Sequence, residues 1–165
     1  MLKLYDTPIS GNCHKVRLML SILGIEYEKI PVSLPDGEQK KPDYMAIHPF
    51  GKVPAIDDDG VYMWDSQAIL VYLATKYGNT DWYPDDPVER GQVHSWLSVA
   101  ANEMFNGPAV ARAMIIFNRE GDQEKVRKAG EATLKALLPA DGFQAKPYID
   151  EEDAVDDEPA PAIRT

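Results

Sequence analysis

Thiol and imidazole groups are scarce in this chain. Its 165 residues include one cysteine, Cys13, and three histidines, His14, His48 and His94. A single thiol excludes an intrachain disulfide framework and a cysteine-based metal cluster. The scattered histidines show no metal-ligand spacing, so no metal site is expected. Long apolar runs are also missing. No stretch reaches the roughly 18 apolar residues of a membrane-spanning helix, and Lys3 and Asp6 fall inside what would be the apolar core of a leader. The expectation is a soluble, cytoplasmic protein without a membrane partner. Positive charge is short as well, with 17 Lys and Arg against 27 Asp and Glu and a net charge of −10. Such a surface repels phosphate over a Debye length of about 8 Å, which argues against nucleic acid as a partner.

A hydrophobic content of 44% points to a folded globule. The length allows one ordinary core, or a small domain with part of another. "LKLY" reads as a short strand. Val16, Met19, Leu20 and Leu23 then recur at helical spacing and Gly24 supplies a stop. "IEYEKIPV" alternates like a second strand, "SLPDGEQKK" is a polar loop, and "PDYMAI" is a short turn or helix. "KVPAI" and "VYMW" flank "DDDG", the signal of a hairpin. Asp65-Ser66 opens a helix with Ile69, Tyr72 and Leu73 on its inner face, ended by Gly78. The order is β-α-β-α-β-β-α. Its first two strands are joined through a helix and so should be parallel.

The link 79–87, "NTDWYPDDP", leads to a helical region at 88–138. There Val93, Trp96, Leu97, Ala100, Ala101 and Met104 form an amphipathic stripe. "NGP" at 106–108 should interrupt it, and Val110, Ala113, Met114 and Phe117 resume it. A further helix carries Val126, Gly130, Thr133, Leu134, Leu137 and Leu138. Residues 139–165 hold eight acidic against two basic side chains and are expected to be disordered.

Several residues carry two readings each. Ser10, three positions before Cys13, is a helix N-cap; equally, a hydroxyl at a helix N-terminus donates to a thiolate and lowers that thiol's pKa. Cys13 falls on the core stripe and is read as a small buried hydrophobe rather than a redox thiol. Pro54 fits a strand start, Asp65-Ser66 fits an N-cap pair that also suits a carboxylate ligand, and Lys40 and Lys52 are in isolation solvated charges. His48 reads as a loop residue and His94 as a packing one.

Taken together, "TPISGNCHKVR", "HPFGKVPAIDDDG" and "WDSQAILVYLATKYG" resemble the N-terminal domain of a serine-type, bacterial-like cytosolic glutathione transferase across residues 1–78, with a weaker likeness to about 138. The resemblance implies an α/β thioredoxin-like domain (βαβαββα, mixed four-stranded sheet) followed by a partial all-α domain. It implies Ser10 as the hydroxyl that donates to the glutathione sulfur, with Tyr5 a distant second choice. Val53 and Pro54 match the cis "V-P" whose backbone pairs with the cysteinyl part. Asp65 and Ser66 match the grip on the γ-glutamyl end, and Lys40 and Lys52 fall toward the glycyl carboxylate. Gln39 and Lys52 replace the His and Gln of other relatives, and His48 an Asn. Glutathione is then a cosubstrate, no cofactor is needed, and a small apolar electrophile would sit near Phe105, Met114 and Phe117. A homodimer is expected, as is common in the family.

The family's helical domain continues for several more helices. The stretch after Leu138 has another composition, which is read as truncation or frameshift and would leave apolar faces uncovered. Three readings follow: a glutathione transferase; a non-catalytic glutathione-binding or interaction protein, including a non-functional truncated transferase; and a glutathione-dependent disulfide reductase using Cys13.

Overall fold

The computed structural model describes residues 1–117 and 121–137. Leu138 and the acidic stretch 139–165 lie outside the described residues. Ten principal elements follow one another: β1 (Leu2–Asp6), α1 (Gly11–Ile22), β2 (Tyr27–Pro31), α2 (Pro42–Ile47), β3 (Ala55–Asp58), β4 (Val61–Trp64), α3 (Ser66–Tyr77), α4 (Pro87–Ala101), α5 (Val110–Ile116) and α6 (Gln123–Leu137). A single 3-10 turn at Glu38–Lys40 lies within the loop before α2.

The four strands form one mixed sheet in the order β2-β1-β3-β4. β1 runs parallel to β2 (Leu4 opposite Lys29) and antiparallel to β3 (Leu4 opposite Ile56), and β3 is antiparallel to β4. This is the thioredoxin-like arrangement expected from the sequence. The β3–β4 connection turns on Asp59 and Gly60, whose φ values of 51° and 90° are the pair that a two-residue type I′ hairpin demands. Asp57 Oδ1 accepts from Gly60 N at 2.8 Å and closes the turn.

Strand alternation decides which layer each side chain joins. Leu2 and Leu4 of β1 and Ile56 of β3 pack with Val16, Met19 and Leu20 of α1 and Ile69, Leu73 and Ala74 of α3. Ala55, one residue out of phase with Ile56, faces the other side, where Val32, Tyr44 of α2 and Tyr5 form a smaller cluster. The sheet is therefore sandwiched between α1 with α3 on one face and α2 on the other. Each fully buried aliphatic side chain in these layers contributes about 1.5–3 kcal/mol.

The helical region is covered far less. None of the residues of α4 or α5 is buried. Trp96 is 50% exposed and Phe105 50%. The stripe seen in the sequence is present, but α3 covers only part of it. At the "NGP" segment the helix widens into a π-turn over Phe105–Ala109 with Pro108 inside it. That is the expected interruption: proline has no N–H to continue the i→i−4 ladder. Gly107 is buried against the α6 backbone, where an added Cβ would lie 3.0 Å from Gly130 N.

Asp58 ties the hairpin to α3. Its buried Oδ2 accepts from Tyr72 Oη at 2.7 Å, Lys76 Nζ at 2.6 Å and Tyr77 Oη at 2.6 Å. Burial opposes its charge, but these three donors outweigh burial and hold the carboxyl below the usual aspartate range. An acid whose folded pKa is depressed stabilises the fold above its unfolded value, about 3.9, and loses that contribution as pH falls through the folded value. Asp58→Ala is expected to cost about 2–3 kcal/mol in urea unfolding at pH 7. The gap to wild type should narrow as pH is lowered below about 4.

Candidate functional site

Two helix N-termini and one loop meet at the same end of the sheet. α1 starts after a tight turn in which Ser10 N–H donates to Thr7 O at 3.2 Å. Ser10 is its N-cap, with extended backbone (φ −79°, ψ 121°), and Ser10 Oγ accepts from Cys13 N at 3.2 Å. A serine acting as acceptor keeps its own O–H free to donate. Cys13 itself is fully buried, and burial raises its thiol pKa, which makes it a poor nucleophile.

α3 starts at Asp65, whose Oδ1 accepts from Gln67 N at 2.9 Å and Ala68 N at 3.3 Å. Asp65 adopts φ 70°, ψ 123°, outside the usual regions for a residue with a side chain. Such a conformation costs about 1–3 kcal/mol and persists only where its surroundings enforce it. The following Ser66 is buried. Between the two helix starts runs the loop Phe50–Pro54, in which the Val53–Pro54 peptide is cis. Tyr44 Oη donates to Lys52 O at 2.6 Å and fixes this loop to α2. Lys40 Nζ donates to Phe50 O at 3.0 Å from the other side. Gly51 allows that approach. Its φ is 53°, and a Cβ there would lie 2.5 Å from Gln39 O and 2.9 Å from Lys40 Cδ.

The resulting cavity, about 430 Å³, is lined by Lys52, Val53, Pro54, Asp65 and Ser66 together with Asn12, Trp64 and Gln67; Ala100, Ala101 and Phe105 close its helical side. Its size lies in the range of small-ligand sites. The first-turn amides of both helices leave partial positive charge there, which favours an anionic ligand.

The sequence-derived candidates are thus distributed unevenly. Lys52, Val53, Pro54, Asp65, Ser66 and Phe105 share this one cavity. Ser10 stands at the α1 start but is not among the lining residues, and Lys40 acts on the loop backbone. Met114 lines a different cavity, of about 780 Å³, between α5 and α6; Phe117 lines neither. His48 lies in the loop after α2, as expected, and is buried there, stacked on Tyr44 and set 5.4 Å from the Trp64 ring; it lines this cavity, and burial lowers its pKa. One histidine reading changes. His94 is exposed rather than packed, its Nε2 lying 2.9 Å from Tyr83 Oη. Sequence reasoning missed Asn12, Phe50, Trp64 and Gln67 as lining residues. Each lies within one of the three quoted motifs, and that membership was the available signal. Among the described residues no group of three or more His, Cys, Asp or Glu could hold a metal ion, and no helix is long and apolar enough to cross a membrane.

Comparison with known proteins agrees with this arrangement. Residues 9–76 match the family model described as glutathione S-transferase, N-terminal domain. A probable glutathione S-transferase of Oryza sativa subsp. japonica is 36% identical over 141 residues, covering 82% of this chain and 66% of that protein. A glutathione S-transferase structure from Pseudomonas fluorescens superposes with a TM-score of 0.75 at 32% identity, covering 82% of this chain and 69% of that one. A glutathione transferase homologue from Drosophila mojavensis, solved with bound glutathione, gives 0.71 at 31% identity over 79% of this chain and 62% of that one. The chain spans just under two thirds of the length of the curated relatives it first matches. By sequence and by fold, the chain belongs to the cytosolic glutathione S-transferase family.

Proposed function

We propose that the chain is a glutathione transferase that activates the glutathione thiol for attack on a small apolar electrophile. The observation that carries this reading is the convergence of Lys52, Val53, Pro54, Asp65 and Ser66 on one cavity beside the N-terminus of α1. In this reading Asp65 takes the γ-glutamyl ammonium, while Ser66 and the first turn of α3 take the adjoining carboxylate. Val53 pairs through its backbone with the cysteinyl residue. Lys52 neutralises the glycyl carboxylate, with Lys40 holding the loop that presents it. The sulfur then lies toward Ser10.

The chemistry needs one proton removed. The Ser10 O–H donates to the sulfur and the α1 N-terminus adds positive potential, so the bound thiol loses its proton to water more readily than in solution. The thiolate attacks the electrophilic carbon; a C–S bond forms, and a leaving group departs or the adduct takes up a proton. Binding supplies the proximity that makes this step effectively intramolecular. Phe105 is the residue best placed to meet the electrophile, since it borders both the 430 Å³ cavity and the α5–α6 cavity where Met114 lies. Burial of Cys13 weighs against the disulfide-reductase reading.

Homodimerisation is part of the proposal. The groove between α3 and α4, lined by Met63, Ala68, Val71, Leu97 and Ala101, and the exposed Val61 and Tyr62 on the edge strand form an apolar surface suited to a second copy.

Three measurements test these statements. With chlorodinitrobenzene as electrophile, Ser10→Ala should lower kcat/KM for glutathione by about tenfold or more, whereas Cys13→Ala should stay within about twofold of wild type. Glutathione binding without turnover of any common electrophile would leave the binding-protein reading instead. Asp65→Ala should weaken glutathione binding in calorimetry by about tenfold or more, with about 1 kcal/mol lost from the fold through the missing helix cap. Sedimentation equilibrium should give twice the monomer mass; a monomer at micromolar concentration would exclude the dimer.

A further inference from the structure

The turn that delivers Ser10 is held by two guanidinium groups from different parts of the chain. Arg17, on α1, is paired with the buried Asp6 and donates through Nη2 to Pro8 O at 3.1 Å. Arg112, on α5, lies 102 residues beyond Ser10 and donates through Nη1 to Ile9 O at 3.0 Å. The Ile9 carbonyl and the Ser10 N–H belong to the same planar peptide unit and point in opposite directions. Since Ser10 N–H donates to Thr7 O, that plane is gripped at both edges: by β1's exit on one side and by the helical region on the other. A plane pinned at oxygen and nitrogen cannot tilt or flip. The remaining freedom of Ser10 is then its own φ, ψ and χ1; its ψ is restrained by Ser10 O accepting from His14 N at 2.9 Å, and its χ1 by Ser10 Oγ accepting from Cys13 N at 3.2 Å. A cation on the oxygen also polarises the amide and strengthens its N–H as a donor.

The geometry points to Arg112 as a positioning residue for the thiol chemistry: it reaches from α5 to the turn and sets the direction of the Ser10 hydroxyl. This inference rests on the transferase reading above and deepens it. It assigns the helical region a role in the activation step besides forming one wall of the cavity. Arg112 does not touch the sulfur in this scheme; it acts through the peptide that carries Ser10. Among the described residues no carboxylate pairs with Arg112 within the distance of an ion pair.

The test uses the full chain with Arg112→Met, which keeps the stem but removes the donors and the charge, and Arg112→Lys, which keeps the charge. Arg112 is exposed, and circular dichroism and a thermal midpoint check that each variant folds. Two readouts are taken. The first, without ligand, is amide hydrogen exchange at Ser10 and Cys13, expected to speed up about tenfold in Arg112→Met and less in Arg112→Lys. The second is the ultraviolet thiolate absorbance of bound glutathione as a function of pH, together with kcat and KM. The bound thiol should titrate at higher pH in Arg112→Met and kcat should fall about tenfold, while the glutathione dissociation constant stays within about threefold. Unchanged exchange, or an unchanged thiol titration and kcat in a folded Arg112→Met, overturns the inference. Failure of the transferase reading is seen separately, without any change at Arg112: no depression of the glutathione thiol pKa on binding to wild type, or no loss in Ser10→Ala, would end that reading and this one with it.

Discussion

The structure depends on how two helices begin. The first-turn amides of an α-helix have no partner within the helix, and burying them unpaired is costly. α1 and α3 both start at the same end of the sheet, and each satisfies part of that demand with one side-chain oxygen, Ser10 Oγ for α1 and Asp65 Oδ1 for α3. What remains is a pair of partly positive helix ends looking onto common ground. The sheet order brings this about: the parallel β1–β2 crossover places α1, and the β3–β4 hairpin returns the chain so that α3 begins beside it. The loop carrying Val53 and Pro54 lies between them because β3 sits next to β1. A polar tripeptide with two carboxylates, one amine and one thiol is complementary to such a place, which is why the proposed substrate follows from the fold's electrostatics as well as from family likeness.

Much of this was legible in the chain's own letters. "DDDG" between alternating apolar runs demanded a hairpin, and Asp59-Gly60 provides its turn. Val16, Met19 and Leu20 marked the buried face of α1 because a 3.6-residue period leaves little choice of which side faces a sheet. "NGP" announced a break, since proline cannot donate to the ladder. The caps were equally plain, since Ser10 and Asp65 read as N-caps and are N-caps; their proposed roles toward glutathione were legible only through the family resemblance.

Illegible features were those decided at long range. Periodicity showed that α4 has an apolar stripe but not how little of it α3 would cover. Met114 and Phe117 sit three residues apart on one sequence stripe, yet only Met114 lines the α5–α6 cavity; α5 ends at Ile116, and Phe117 is its C-cap with φ −102° and ψ 9°, off the helical path. His48 was legible as a loop residue but its burial was not: it stacks on Tyr44 and meets the tilted Trp64 ring, which depends on how α2 meets β4. Lys40 could be recognised as a cation, but its carbonyl partner depends on Gly51 permitting a close approach. No local pattern linked Arg112 to Ile9.

The sealed position of Cys13 has a practical corollary. A chain proposed to handle electrophiles carries a single thiol of its own, and that thiol is shut inside the first helix's contact with the sheet. Reagents that alkylate or oxidise thiols will therefore find nothing to modify until that helix lifts away. Labelling of Cys13 becomes a clock for the opening of the domain, free of interference from any second thiol.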